Sequence, residues 1–353
     1  MTRRRVAVAV ALLAAAIVAG GAAPATAATP VVGADVSVHQ CGRPWSGAQA
    51  FAVVAVNDGV ATGTNPCLAE QLALASASPG GAGQPRVSLY VNTANPSPKQ
   101  ASWWPKGDRT RRGLKVSSPY GHCKGTASTA CSWVYGASLA QDDLQTRGVP
   151  AGIAGRWWLD VETANTWTGS TAQHRAVLEG MTTRLTKSGQ KVGLYALDHE
   201  FRDLIGTVPA SSALSPLPTW IAGAGDQAGA AKRCSAAPLT KGRILLAQWS
   251  TTVGTDRFDL DLACTVLSPA PKPTVTGKHA VKSLLTAKTG SWATGTHLAY
   301  RWTRSGKTIS GATKRTYRAV KADAGHRVAV VVTGTSDGSS RAVKTSGSVA
   351  IHR

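Results

Sequence analysis

The stretch 156–167, RWWLDVETANTW, sets two acidic residues in a run that is otherwise typical of a buried β-strand. Asp160 and Glu162 are separated by one valine, so their side chains point to the same face of that strand. Burying two carboxylates side by side is costly unless a function uses them. The pair therefore predicts a strand that ends at a functional site.

Seven other apolar runs of strand length accompany this one. They cover residues 31–38, 51–59, 86–93, 191–197, 218–223, 244–250 and 258–263. Helical patterns lie around 67–77, 135–148 and 174–189, and they become sparse after the fifth strand. This order predicts an α/β fold, a TIM-like (β/α) barrel with few helices after strand five. We expect the last three strands to pair almost directly.

The first 28 residues have the pattern of a secretory signal peptide. A basic MTRRR precedes the apolar VAVAVALLAAAIVAGG, and small residues end the segment at Ala27 or Ala28. A membrane anchor is the alternative. With residues 1–28 as a signal peptide, we expect a secreted protein, extracellular or associated with a cell wall, and a monomer.

Six cysteines follow the predicted signal peptide. They are Cys41, Cys67, Cys123, Cys131, Cys234 and Cys264. An even number in an exported chain predicts disulfides, although spacing alone leaves other connectivities open. We expect sequential pairing, because each successive pair brackets a short loop region. No CxxC occurs and no His stands at ligand spacing, so neither a metal site nor a cofactor is predicted. The acidic run 198–203, DHEFRD, is interpreted as the start of a helix rather than as a metal cluster.

The formal net charge of +21 is concentrated at the carboxyl end of the chain. From Pro269 onward there are 15 Lys or Arg and 2 Asp or Glu, against 21 and 16 between the predicted signal peptide and Pro269. The charge serves solubility or attracts a polyanion, which outside a cell means an anionic wall polymer rather than nucleic acid. We expect no nucleic-acid partner and no membrane partner.

SPAPKPTV, residues 268–275, is a predicted linker between a barrel at 29–267 and a tail at 276–353. The tail alternates apolar and polar residues between Gly, Ser and Asp turns, which predicts a small all-β sandwich without a disulfide. Its runs GSW, YRWTRSGKTISGATKRTYR and DAGHRVAVVVTG resemble the Ig-like repeat of bacterial cell-surface proteins. That resemblance does not specify a ligand.

Acidic residues also stand on the first and last predicted strands. Asp35 lies on the first strand, and Asp259 and Asp261 lie on the last. Active sites of such barrels lie at the carboxyl ends of the strands, so we expect these residues to join Asp160 and Glu162 at one mouth. Carboxylates that repel one another raise one another's pKa, and one can stay protonated near neutral pH. A protonated acid beside ionised ones suits cleavage of a glycosidic bond.

Six strand motifs, in order, resemble glycoside hydrolase family 25, the lysozyme-type muramidases. They are GADVSVHQ, WLDVE, VGLYAL, PTWIAG, LAQWS and FDLDLA, and they span residues 31–263. The resemblance implies a glycoside hydrolase that cleaves β-1,4 linkages in peptidoglycan or a related wall glycan.

The resemblance also implies roles for four acids. Glu162 would be the general acid, and Asp160 would set its pKa and stabilise positive charge. Asp259 would orient the substrate's N-acetyl group, which acts as an internal nucleophile, and Asp35 would hold the hydrogen-bond network. Asp261 is the alternative to Asp259 for this role. The family's pattern places the functional acid at the first of the two positions, which favours Asp259.

Aromatic residues are candidates for stacking against sugar rings. Tyr195, Trp158, Trp220 and Trp249 are the predicted substrate-binding residues, and core packing is the alternative for each tryptophan. Trp104 is a further candidate with the same alternative.

Several features depart from the family. His39 replaces an aromatic residue, the third strand ends in YVNTANP, and residues 95–135 form a long excursion. The alternatives are therefore a glycan-binding barrel without turnover, or a glycosidase for another polysaccharide. For Asp160 and Glu162 the structural alternative is an ion pair with Arg156 or Arg202; for Asp35 it is a turn role, and for Asp259 a solvated strand end.

Overall fold

The computed structural model describes residues 31–43, 49–80, 83–253 and 256–353. The predicted signal peptide, 1–28, lies outside these residues. Within the described ranges no helix combines the length and the apolar character needed to cross a membrane.

Eight strands form a closed barrel in chain order. They are β1 (Val32–Val36), β2 (Ala52–Ala55), β3 (Val87–Asn92), β4 (Trp157–Asp160), β5 (Val192–Ala196), β6 (Thr219–Ala224), β7 (Ile244–Val253) and β8 (Asp256–Ala263). Every predicted strand is present, so the predicted α/β barrel is confirmed.

Helices follow five of these strands in the described chain. They are α1 (Leu68–Ser76), α2 (Thr129–Thr146), α3 (Thr171–Lys187), α4 (Asp198–Ile205) and α5 (Gln227–Cys234). The run DHEFRD begins α4, as interpreted. The expectation that the last three strands pair almost directly is wrong between β6 and β7, where α5 intervenes; the Asp226 side chain caps this helix by accepting from the Gly229 amide.

The barrel is not parallel throughout. β8 is antiparallel to both β7 and β1. Only two residues separate β7 from β8, too few for a parallel crossover. The prediction that site residues lie at the carboxyl ends of the strands, which supposes parallel strands, is therefore wrong for β8, and the beginning of this strand lies at the mouth. Asp259 is consequently in register with Asp35 on β1.

Large side chains fill the barrel interior beneath the mouth. Phe51, Trp158 and Trp220 belong to one buried cluster there. A Cβ on Gly193 of β5 would overlap the Trp158 ring. Glycine on the neighbouring strand thus makes the space for an indole inside the barrel.

In the outer layer of helices, the backbones of α2 and α3 approach each other closely. A Cβ on Gly136 would overlap the Val177 carbonyl oxygen, and one on Gly180 would overlap the Trp133 carbonyl oxygen. The two glycines therefore let the helix backbones approach directly. Both are buried.

Three disulfides join the predicted partners. Cys41 pairs with Cys67, Cys123 with Cys131, and Cys234 with Cys264. The sequential pairing is confirmed. The third bond ties the end of α5 to the residue that follows β8.

The tail forms two sheets around one core that contains Trp302 and residues of both sheets. The strands are β9 (Thr265–Val266), β10 (Thr274–Thr276), β11 (Leu284–Lys288), β12 (His297–Arg304), β13 (Lys307–Thr308), β14 (Thr316–Arg318), β15 (Arg327–Ser336), β16 (Ser339–Thr345) and β17 (Val349–Ala350). One sheet has the order β10-β11-β14; the other runs β13-β12-β15-β16-β9, with β17 beside β15. The predicted small all-β unit is thus present.

The segment between barrel and tail is paired rather than free. β9 follows β8 directly and joins β16 in parallel. β10 begins inside the predicted linker 268–275, and the Ala293 amide donates to the Pro269 carbonyl at 2.9 Å. The predicted linker 268–275 therefore contains paired residues and is not a free connection.

Candidate active site

The structure brings the four predicted acids together. Asp35, Asp160, Glu162 and Asp259 line one cavity of about 310 Å³ at the barrel mouth. Asp35 comes from β1, Asp160 ends β4, Glu162 follows it, and Asp259 lies on β8. Distant parts of the chain meet there because the barrel closes β8 against β1.

A hydrogen-bonded chain holds Asp35. The Tyr195 hydroxyl donates to Gln248 Oε1 at 2.9 Å, and Gln248 Nε2 donates to Asp35 Oδ2 at 2.8 Å. These three residues come from β5, β7 and β1. The chain fixes the orientation of Asp35 across the mouth.

Asp160 is held more deeply. It is 2% exposed, and Asn92 Nδ2 of β3 donates to its Oδ2 at 2.7 Å. Its other oxygen, Oδ1, is buried without a hydrogen-bond partner among the described residues. An unpaired buried carboxylate oxygen favours the protonated form, in which that oxygen carries the proton.

The two acids of β8 lie at different depths. Asp259 faces the cavity and accepts from the Ser250 hydroxyl at 2.5 Å. Asp261 is fully buried and accepts from Trp220 Nε1 at 2.6 Å, and burial and the nearby Asp35 raise its pKa well above the ordinary value. Alternation puts both inside the barrel, and the antiparallel direction puts Asp259 nearer the mouth. The geometry thus agrees with the preference for Asp259 over Asp261 as the acid that can meet a substrate.

Burial is the main cause of raised pKa values at this site. It raises the pKa of Asp35 to about 7, with repulsion from Asp259 as the next cause. Burial and the nearby Glu162 raise the pKa of Asp160 well above its ordinary value. Burial, Glu200 and Asp259 raise the pKa of Glu162. The mouth therefore retains protons near neutral pH.

The alternative of a buried ion pair does not fit the structure. No salt bridge within the described chain reaches Asp35, Asp160 or Glu162. Arg156 instead donates to the Val192 carbonyl and lies over the Trp158 ring. Asp259 has one cation nearby, Arg257, at 3.9 Å.

The aromatic candidates separate into two groups. Tyr195 and Trp220 line the cavity, although Trp220 is only 1% exposed. The expectation is wrong for Trp158, which lies two residues below Asp160 and is 0% exposed. It is also wrong for Trp249, which follows the inward-facing Gln248 and packs outside the barrel against the cluster of Cys234 and Cys264.

Asn92 and Gln248 are among the polar residues of the site that were not predicted. Each of the two holds a predicted acid. Their motifs, YVNTANP and LAQWS, were noticed for position, but an amide carries no charge that marks it. A strand-end amide on the same face as the acids was the available signal.

No group of three or more His, Cys, Asp or Glu in the described ranges is arranged to hold a metal ion. The side chains that line the mouth include carboxyl, amide, phenol, hydroxyl and imidazole groups.

Comparisons with known proteins give distant likenesses. No family model and no curated protein matches the chain. The spore cortex lytic enzyme SleM of Clostridium perfringens is 14% identical, covering 90% of this chain and 97% of that one, with a TM-score of 0.41. The lysozyme of Streptomyces coelicolor is 16% identical over 67% and 92%, with a TM-score of 0.44. A family GH25 lysozyme of Aspergillus fumigatus is 13% identical over 67% and 94%, with a TM-score of 0.42. These values do not assign the chain to a family.

Proposed function

We propose that the protein is a secreted glycoside hydrolase of the lysozyme type, which cleaves β-1,4 linkages in peptidoglycan. The observation that carries the proposal is the convergence of Asp35, Asp160, Glu162 and Asp259 on one cavity, where no described Lys, Arg or His forms a salt bridge to the first three. The six strand motifs shared with glycoside hydrolase family 25 support the same activity.

Glu162 is the proposed general acid. It lines the cavity, is less buried than Asp160, and its raised pKa keeps the proton available. Transfer of that proton to the glycosidic oxygen lets the bond to the anomeric carbon break, and the bonding electron pair leaves with the oxygen. The proton that Asp160 and Glu162 hold between them lies on Glu162 in the reacting state, so the ionised Asp160 stabilises the positive charge that develops on the sugar.

The substrate's N-acetyl oxygen is the proposed nucleophile, and it bonds to the anomeric carbon as the leaving oxygen departs. A water molecule, deprotonated by the Glu162 carboxylate, then attacks that carbon, breaks its bond to the N-acetyl oxygen and restores the proton on Glu162. Asp259, held by the Ser250 hydroxyl, orients the N-acetyl group. Asp35 keeps the Gln248–Tyr195 chain in place across the cavity.

Clearing of purified cell walls tests the proposal. We expect the wild-type protein to lower the turbidity of the suspension and Glu162→Gln to clear it about 10²- to 10⁴-fold more slowly, because that is the usual contribution of a general acid. Release of reducing ends from the same walls identifies a glycosidic bond as the one cleaved.

Glu70→Gln is the matched control. Glu70 is exposed on α1 and does not line the cavity, so this variant should keep most of the activity. Wild type and Glu162→Gln binding walls equally without clearing them would indicate a binding barrel. Reducing ends from other glycans only would indicate a different polysaccharide.

The basic tail is proposed to hold the enzyme on anionic wall polymers. Lys288, Lys307, Lys314 and Lys321 are exposed on the tail. None of the four forms a salt bridge within the described residues. Their charges are therefore free to meet an anionic polymer.

A further inference from the structure

A second cavity lies in the excursion between β3 and α2. Its volume is about 900 Å³, larger than the cavity of the acids. The excursion leaves the carboxyl end of β3. Its Asn95 amide donates to the Thr166 carbonyl at 2.9 Å, in the loop that follows Glu162, so it begins at the same end of the barrel as the acids. The proposed reaction uses none of its residues.

The apolar wall of this cavity is rigid. Trp104 stacks on Tyr135 of α2 with ring centroids 5.2 Å apart, and its Nε1 donates to the Thr126 carbonyl at 3.2 Å. Trp103 also stacks on Tyr135, with ring centroids 6.5 Å apart. The Cys123–Cys131 disulfide ties the end of the excursion to α2. Two indoles are thus held in place before any ligand arrives.

The polar wall is cationic. Lys106, Arg109 and Lys115 line the cavity and are exposed. The one acid among the lining residues, Asp108, already accepts from the Cys123 amide at 2.8 Å and contacts His122 Nδ1 at 2.5 Å. Neither lysine forms a salt bridge within the described residues.

The charge of the excursion is opposite to that of the rest of the barrel. Residues 98–125 contain seven Lys or Arg and one Asp, whereas the remainder of 29–268 contains 14 basic and 15 acidic residues. The basic charge of the barrel is therefore concentrated beside an acidic mouth. When a polymer enters the mouth, the acids of the mouth would repel any anionic group that it carries. The basic residues of the excursion would attract the same group.

We propose that this cavity binds a carboxylate-bearing peptide substituent of the same glycan whose backbone enters the acidic mouth. The inference rests on the proposed function, which concerns only the glycan backbone. It adds that the peptide attached to that backbone is recognised as well. A neutral glycan makes no use of three cations. A peptide with free carboxylates pairs with them and packs its apolar side chains on Trp103 and Trp104.

Binding to the full chain carrying Glu162→Gln tests the inference without turnover. Two soluble peptidoglycan fragments with the same glycan are compared by isothermal titration calorimetry. One carries its peptides; the other is stripped of them, and the sugar carboxylates that this frees are capped as uncharged amides. We expect the peptide-bearing fragment to bind about tenfold more tightly. Adding Lys106→Gln and Lys115→Gln should remove that advantage and leave the affinity for the stripped fragment unchanged.

The matched control adds Lys99→Gln and Lys124→Gln, which remove the same charge from the excursion but do not line the cavity. Equal affinities for the two fragments, or equal losses in the two double-lysine variants, would overturn the inference. Titration with the released peptide alone keeps the two proposals apart. If walls are not cleared but the peptide still binds and loses affinity with Lys106→Gln and Lys115→Gln, only the proposed reaction is wrong.

Discussion

At the scale of single residues, Asp35, Asp160, Glu162 and Asp261 share one physical condition. Burial is the first cause of the raised pKa of each, and repulsion between neighbouring acids comes second or later. The fold alone therefore raises the pKa values that keep protons at the mouth. A bound glycan, which excludes more water, should strengthen the same effect.

Asn92→Ala should shift the alkaline limb of the pH–activity profile to higher pH. The Asn92 amide lowers the pKa of Asp160 by donating to its carboxylate, so its removal raises that pKa further. The proton shared by Asp160 and Glu162 is then retained to higher pH. The measurement is kcat/KM against pH on a soluble fragment, where the alkaline limb should shift to higher pH. Asn95→Ala, which removes a side chain bonded to the Thr168 carbonyl, should leave the limb in place.

Asp143 predicts a pH dependence of stability. This residue of α2 is 1% exposed, and burial raises its pKa from 3.8 to about 7. The folded state then binds a proton that the unfolded state releases, so the stabilisation is complete below about pH 4 and is lost as the pH rises through 7. Thermal unfolding should show a lower Tm at pH 8 than at pH 5.5.

Asp143→Asn should reduce this loss of Tm on going to pH 8, whereas Asp203→Asn on the exposed side of α4 should not change it. A wild-type Tm that rises between pH 5.5 and 8 would contradict the sign. Asp35, with its pKa also about 7, keeps part of the dependence in the Asp143 variant.

The sequence predicted the acids better than their partners. Strand alternation is enough to put Asp160 and Glu162 on one face, and a charge on an apolar strand is conspicuous. Depth along a strand is not visible in the same way, which is why Trp158 was expected at the mouth although it lies below Asp160. Gln248 holds a residue 213 positions away, a pairing that only barrel closure creates.

At the scale of elements, the backbones of α2 and α3 meet at Gly136 and Gly180. Alanine normally improves a helix by about 1 kcal/mol over glycine. Here the added methyl would overlap a carbonyl oxygen of the opposite helix, and we expect Gly136→Ala or Gly180→Ala to lower the free energy of unfolding by about 1–3 kcal/mol. Urea unfolding provides the measurement.

Gly229→Ala in α5 is the control, because its Cβ would meet no backbone closer than 3.9 Å. We expect a change within about 0.5 kcal/mol. Similar losses in all three variants would show that helix contact is not the cause.

The direction of β8 could also have been read from the sequence. Parallel neighbours need a connection of a dozen or more residues, and the chain between the seventh and eighth predicted strands is shorter than that. Apolar patterning locates a strand but contains no information on its direction. The small helix α5 was missed because alanine, glycine and lysine in QAGAAKRC show no clear apolar face.

At the scale of the whole molecule, charge is divided among three regions: an acidic mouth, a basic excursion beside it and a basic tail. A fourfold variant, Lys288→Gln, Lys307→Gln, Lys314→Gln and Lys321→Gln, should weaken wall binding at low salt. At about 1 M salt the Debye length is about 3 Å, so variant and wild type should bind alike. Co-sedimentation with purified walls provides the measurement.

These four lysines are exposed, so their replacement leaves the core of the tail intact. The variant should cleave a soluble peptidoglycan fragment at the wild-type rate, because the mouth is unchanged. An equal loss of wall binding at both salt concentrations would show that the tail does not act through charge.

Strand β9 has a mechanical meaning. It starts two positions after the last residue of β8, and the Thr265 amide already donates to the Gly338 carbonyl at 2.9 Å in the tail. No flexible linker separates β8 of the barrel from the first strand of the tail. If the tail binds the wall as proposed, the barrel can reach only wall polymer within about one molecular diameter of that contact. Movement along the wall would then require the whole molecule to dissociate and rebind.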